Sequence, residues 1–409
     1  MLVTSKGAPK APSRHVRSFH NWKSEYANNS IRKAQERGLL TSDDGSLITE
    51  FIAEAKATKG ICVGRANKVT FTLVQWRRFI GPFRSNTITD LYKGIELLKE
   101  ARNNGKPYKQ NTVRDFINAL KRFYHWLISN EHSNVQTEKV KAIKAPRTDS
   151  MTKTAEMMLT EDEVRAMIDV CQNSRDRAIL ATLYEGGFRI EEIGDLTWEQ
   201  TKFDDYGTII NVNKKTERPR YVRLVSATQY LISWKNDYPF PITADAPVFL
   251  SFQHMPLEYA AVSQQLKKIG KRAGITKKIT PHLFRHSRIT AMLQKGYNES
   301  IIKKTMWGNI NTTMFETYVH LTDTDIDNEI LGKLGIQRQE AIRSDAMDAR
   351  QCVNCNTINS PTSRFCSTCG EPLTDDARVS LERVKRDIEQ TPEYKKIMGM
   401  VRQQLAVGA

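Results

Sequence analysis

The stretch TPHLFRHSRIT, residues 280–290, places two histidines and two arginines within seven positions. Thr280 is a fair N-cap, and Pro281 suits the first helical position, where its missing N–H would go unpaired anyway. The spacing predicts a helix from His282 to Lys295, stopped by Gly296. His282 and Arg285, three positions apart, then share one face of it. The unpaired N–H groups and the positive dipole end of the helix add to the same spot. That chemistry suits an anion, and a phosphate above all. The plainer reading is a basic helix start on a solvated surface.

A second group lies near the C-terminus. CVNCNTINSPTSRFCSTCGEPL sets Cys352, Cys355, Cys366 and Cys369 in two Cys-x-x-Cys knuckles, and Gly370 fits the tight turn after the second. Four thiolates so spaced make a closed tetrahedral structural zinc site with no position left for catalysis. The module resembles a zinc ribbon, and one this small depends on metal to fold. Its contact would be DNA or another protein. Disulfides are the alternative, but the N-terminus lacks the apolar stretch of a secretory signal, so a cytoplasmic, reducing setting is expected. Cys62 and Cys171 read as inert core residues on apolar helical faces.

The whole chain agrees with an anionic partner. It has 409 residues, room for about two to four domains, and carries a net charge of +16. Its pI near 9.5 points to nucleic acid, and no long apolar run points to a membrane. Between Tyr259 and Asn298 there is no Asp or Glu, while Lys267, Lys268, Lys271, Arg272, Lys277, Lys278, Arg285, Arg288 and Lys295 all fall there. A one-signed stretch of this kind reads as a surface built against phosphates.

The elements that must position these residues are mostly helices. Residues 1–44 read as a basic arm with one short helix. From 45 to 130 helices follow one another, among them a segment capped by Asp90 and one with Val113, Phe116, Ile117, Leu120, Phe123, Tyr124 and Leu127 on one stripe. These aromatics read as packing core. Residues 131–158 read as a basic linker. A second domain, 159–336, opens at Thr160 and Glu163 with capping-box spacing. It holds two short strands around a polar turn, GTIINVNKKTERPRYVRL, between helices. The ribbon, 350–374, and an amphipathic helical tail, 375–409, complete a mainly α chain with a small β component.

In this second domain YEGGFRIEEIGDLTW resembles the first signature of the tyrosine recombinase (phage integrase) family, an arginine after a small-residue turn that opens a helix. HLFRH resembles the second, His-x-x-Arg-His, and FETYVHLT the segment of the nucleophilic tyrosine. A lysine-bearing hairpin lies between the first two, in the family's order. The resemblance covers about residues 45–335 and is weaker in the helical region. It implies a helical core-binding domain and an α+β catalytic domain closing around duplex DNA, within a DNA-bound homotetramer.

Carried onto this chain, the resemblance implies that Arg189 and Arg285 clamp the scissile phosphate with His282. Arginine's planar fork suits two phosphate oxygens. Lys215, with Lys214 as the other choice, would protonate the leaving 5′-oxygen. Tyr318 would attack phosphorus and form a 3′-phosphotyrosyl link, needing neither ATP nor a catalytic metal. Glu192 would orient Arg189, and His286 would support the cradle. The family's His or Trp donor before the tyrosine is altered here: TMWGNINTTMFETY puts Asn309 at the usual spacing, while Trp307 has the right chemistry. Trp307 is preferred. A helix in DIDNEILGKLG would dock on a neighbouring protomer, and the ribbon or the tail would offer a protein contact. The implied function is a site-specific recombinase of a mobile element. A type IB topoisomerase and an inactive DNA-binding regulator are the alternatives.

Overall fold

The computed structural model describes residues 19–149, 157–212, 219–318, 330, 331, 334 and 346–407. It is mainly helical with small antiparallel sheets, and the chain divides into two compact units, residues 21–152 and residues 1–20 with 153–409.

The first unit comprises α1 (Glu25–Glu36), α2 (Ser42–Lys59), α3 (Val63–Trp76), α4 (Ile88–Glu100), the short hairpin β1 (Arg102–Asn103) and β2 (Lys106–Pro107), α5 (Gln110–Ser129) and α6 (Thr137–Ala142). The apolar stripe of α5 is buried from Val113 to Leu127. It meets Leu47, Phe51, Leu73, Trp76, Phe83 and Leu91 in one core. Asp44 is fully buried beneath it: one carboxylate oxygen accepts the Phe83 N–H at 2.8 Å, the other Arg77 Nε at 2.8 Å.

Several sequence expectations change here. Asp90 is the third residue of α4, not its cap. The cap is Thr87, whose N–H donates to the Asp90 carboxylate at 2.8 Å in a capping box. Ala34 and Leu40 are buried in this core, so the helical unit begins ahead of residue 45. Val135, Val140 and Ile143 join it as well, so the first part of the expected linker folds with the helices. Their spacing was too sparse to read as a helix. Cys62 is exposed at the start of α3 rather than in the core.

The second unit runs α7 (Glu161–Asp169), α8 (Ser174–Glu185), α9 (Ile190–Gly194), β3 (Thr201–Asp204), β4 (Gly207–Val212), β5 (Arg220–Leu224), α10 (Thr228–Asn236), α11 (Tyr259–Arg272), α12 (Pro281–Gln294) and α13 (Glu299–Trp307). The strands form one antiparallel sheet in the order β3-β4-β5, with Ile210 facing Thr201 on one side and Val222 on the other. Two strands were expected. β3, four residues long with a mixed burial pattern, carries too little periodicity to be read. Leu180, Tyr184, Phe188, Val222, Phe249 and Phe284 lie in the core, and Phe19 from the N-terminal arm inserts against Gly194. Cys171 is buried in it too, its thiol pushed up to about 12 by burial and by nearby Asp176.

The same unit continues into β6 (Arg350–Gln351) and β7 (Ile358–Asn359), which pair with each other, then α14 (Asp375–Glu389) and α15 (Pro392–Val407). Met347 is buried in the core, Lys295 Nζ binds Asp348 at 2.6 Å, and Gln229 Nε2 donates to the Ile358 carbonyl at 3.0 Å. The Tyr230 hydroxyl meets Thr362 Oγ1 at 2.7 Å. Among the described residues no helix is long and apolar enough to cross a membrane.

Candidate active site

Helix α12 is built as its sequence predicts. Thr280 is the N-cap in extended conformation, Pro281 occupies the first turn, and Gly296 follows the helix at φ 74°. His282 stands exposed on the first turn, while Arg285 is buried, 5% exposed. Its two terminal nitrogens donate to the Gly187 carbonyl at 2.5 Å and the Met306 carbonyl at 2.6 Å. Burial, then the nearby Arg189 and Arg220 guanidinium groups, lower its pKa to about 9. It therefore stays cationic at neutral pH.

Gly187 has a physical reason to be glycine. Its φ is +54°, and a Cβ there would lie 2.6 Å from the Met306 sulfur. The turn delivers Arg189 to the start of α9. There the Arg189 N–H donates to the Glu192 carboxylate at 2.7 Å and its side chain binds the same group at 3.1 Å. Arg189 is half-exposed while Glu192 is buried, so a fixed carboxylate holds an accessible guanidinium.

Sequence reasoning missed Arg220. It is 4% exposed at the start of β5, binds Glu192 through Nη2, and donates from Nη1 to the carbonyls of Thr305 at 2.7 Å and Met306 at 2.9 Å. The signal was there: Arg220, Val222 and Leu224 alternate inward along the strand. Lys214 and Lys215, between β4 and β5 in the sequence, lie outside the described residues.

Tyr318 follows a 3-10 turn at Thr313–Thr317, and its N–H donates to the Phe315 carbonyl at 2.8 Å. Phe315 packs with Ile289 and Met292 of α12 and Met306 of α13, which fastens the tyrosine segment to the helix of Arg285. The Tyr318 ring lies 5.1 Å from that of His286 and 5.9 Å from that of Trp307. The Arg285 guanidinium sits 5.3 Å from the Trp307 ring. Burial pushes the Tyr318 phenol up to about 12, against the pull of Arg285 and Arg189. The Asn309 side-chain oxygen accepts the Asn311 N–H at 3.1 Å. Of the two residues weighed for that position, Trp307 is the one packed with Tyr318 and Arg285.

The acid-free stretch splits in two. Lys267, Lys268, Lys271, Arg272 and Lys278 are exposed, whereas Lys277 binds Glu163 at 2.6 Å and Lys295 binds Glu161 at 3.0 Å. The latter two are structural.

The four ribbon cysteines lie with all their sulfurs within 4.8 Å of one another. Cys352–Cys369 and Cys355–Cys366 sulfurs are 3.6 and 3.5 Å apart. A tetrahedral Zn–S₄ group has sulfur–sulfur edges of about 3.8 Å, so the set fits that ion. Asn356 and Gly370 take left-handed conformations in matching positions after each knuckle.

A phage integrase family model matches residues 157–325. Transposase A from transposon Tn554 of Staphylococcus aureus is 32% identical over 189 residues, 42% of this chain and 50% of that one. The chain thus spans about half the length of that relative. Tyrosine recombinase XerA of Pyrococcus horikoshii is 30% identical over 234 residues, 55% of this chain and 74% of that one. The crystal structure of the Lambda Integrase (residues 75–356) bound to DNA shares the fold, with a TM-score of 0.53 at 14% identity over 68% of this chain and 98% of that one. With that arginine–tyrosine cluster inside the matched segment and a 30% identical recombinase covered over most of its length, the chain belongs to the tyrosine recombinase (phage integrase) family.

Proposed function

We propose that the protein is a site-specific DNA recombinase, an integrase, that cleaves and rejoins duplex DNA through a 3′-phosphotyrosyl intermediate without ATP or catalytic metal. The observation that carries this reading is the placement of Tyr318 beside His286 and Trp307, with Trp307 against the buried Arg285. A phenol pushed up to about 12 is a poor nucleophile until positive charge stabilises its anion. Arg189 and Arg285 supply that charge and hold the phosphate, His282 and the Trp307 indole N–H add donors, and the charge developing on the phosphoryl oxygens strengthens each contact. The Tyr318 hydroxyl gives its proton to solvent and its oxygen bonds to phosphorus as the bond to the 5′-oxygen breaks. Lys215 gives that oxygen its proton, and the reverse sequence rejoins a strand.

Residues 159–336 are the catalytic domain, and the helical unit of residues 21–152 is the core-binding DNA module. The exposed lysines of α11 meet the duplex backbone. The working form is a homotetramer on DNA in the cytoplasm, and Cys352, Cys355, Cys366 and Cys369 hold a structural zinc ion. The ribbon or the helices after it contact a protein partner.

Purified protein and Tyr318→Phe are incubated with duplexes tiled across the DNA flanking the gene, with no ATP or added divalent metal, and run on a denaturing gel. A DNA-linked band from the wild type alone supports the reading. Tight binding without any adduct on any tile favours the DNA-binding regulator instead, and relaxation of every plasmid tried favours the topoisomerase.

A further inference from the structure

We propose that Arg220 is a positioning residue for strand cleavage, bridging the carboxylate that orients Arg189 to the backbone that leads into the Tyr318 segment. The proposal rests on the recombinase reading of this site.

Every partner of Arg220 belongs to that site. Glu192, which it binds through Nη2, also holds the backbone and side chain of Arg189. The Thr305 and Met306 carbonyls, which it binds through Nη1, lie in the last turn of α13, just ahead of its final residue Trp307 and the left-handed turn at Gly308. Met306 is shared, since its carbonyl also accepts from Arg285. One buried guanidinium thus touches, directly or through one group, both phosphate-clamping arginines and the helix end that precedes the nucleophile.

Its place in the chain adds a fourth connection. Arg220 opens β5, five positions after Lys215 in the sequence. Beneath it lies Phe188, with the ring centroid 5.8 Å away, next to the Gly187 carbonyl that Arg285 binds. A position chosen only for packing would continue the aliphatic series of Val222 and Leu224. A guanidinium costs desolvation there, and its fork geometry is what lets it serve a carboxylate on one side and two carbonyls on the other. A lysine ammonium reaches one side or the other.

The test compares full-length wild type, Arg220→Lys and Arg220→Gln on the duplex that yields an adduct, measuring affinity by anisotropy, melting temperature, and single-turnover adduct formation. A misplacement of catalytic groups by an ångström predicts adduct formation slowed roughly 100-fold. DNA affinity and melting of the lysine variant stay near wild type. Cleavage at the wild-type rate in both variants overturns the proposal, and so does a rate loss that only tracks lost binding and lost folding.

If the wild type forms no adduct on any tile, the recombinase reading fails separately. Arg220 is then tested without DNA, from the ¹⁹F resonance of Tyr318 in 3-fluorotyrosine protein, identified by its loss in Tyr318→Phe. A resonance moved by Arg220→Lys at unchanged melting temperature supports the positioning role; an unmoved one overturns it.

Discussion

Glu192→Gln removes a charge while keeping shape. The carboxylate is 4% exposed and accepts from the Arg189 N–H, the Arg189 side chain and Arg220. The amide keeps one acceptor but points its NH₂ at a guanidinium, and Arg220 is left in the interior without its counter-charge. Removing one partner of a buried pair costs about 3–5 kcal/mol. At about 2–4 °C per kcal/mol for a large domain, the melting temperature of the full-length protein should fall by about 6–20 °C. Scanning calorimetry reads the shift. Adduct formation should fall too, because Arg189 loses its fixed anchor. A melting shift under about 2 °C with undiminished adduct would refute the idea that Glu192 balances these arginines.

Four further outcomes are expected. Trp307→Phe should slow adduct formation roughly 100-fold or more while Asn309→Ala leaves it nearly unchanged; the reverse order would assign the donor to Asn309. Difference titration of wild type against Tyr318→Phe at 295 nm should place that phenol near 12, and an ionisation near the ordinary value of about 10 would contradict its burial. Because the fold favours the neutral phenol, its contribution to stability is complete below about pH 10 and is lost as pH rises through the folded value. Titration with a mercurial should release about one zinc per chain, a yield that Cys366→Ser abolishes; zinc-free protein with fully reduced thiols would end the metal assignment. Asp44→Asn should destabilise the helical unit by about 3–5 kcal/mol, read by urea unfolding, and a midpoint equal to wild type would show that Arg77 finds another partner.

Much of the site was legible because its residues sit at marked places in local structure. Pro281 and Gly296 bracket α12, and Gly186-Gly187 announces the turn before Arg189. The four cysteines declare themselves by spacing. Arg220 was harder, because an arginine in a basic hairpin looks solvated until the sheet turns it inward against Glu192 from another element. The alternation with Val222 and Leu224 places Arg220 on the inward face, but its partners lie 28 and 86 positions away in the chain, and periodicity does not name them. The same holds for Lys277 and Lys295, counted in a phosphate-facing run yet paired with Glu163 and Glu161 far away. In the helical unit, the boundaries moved because isolated apolar residues such as Leu40 and Val140 are core only by tertiary context.

The seating of the ribbon bears on how this protein tolerates shortening. Met347 fills the core, Asp348 satisfies Lys295, and the ribbon backbone and Thr362 engage Gln229 and Tyr230 of α10. A chain ending ahead of Met347 would open a void in the core and leave these polar groups to water. Such a fragment should be cut quickly by protease where the full chain resists. The appendage is therefore inherited with the body of the enzyme: a descendant that sheds it must first repack the wall on which it rests.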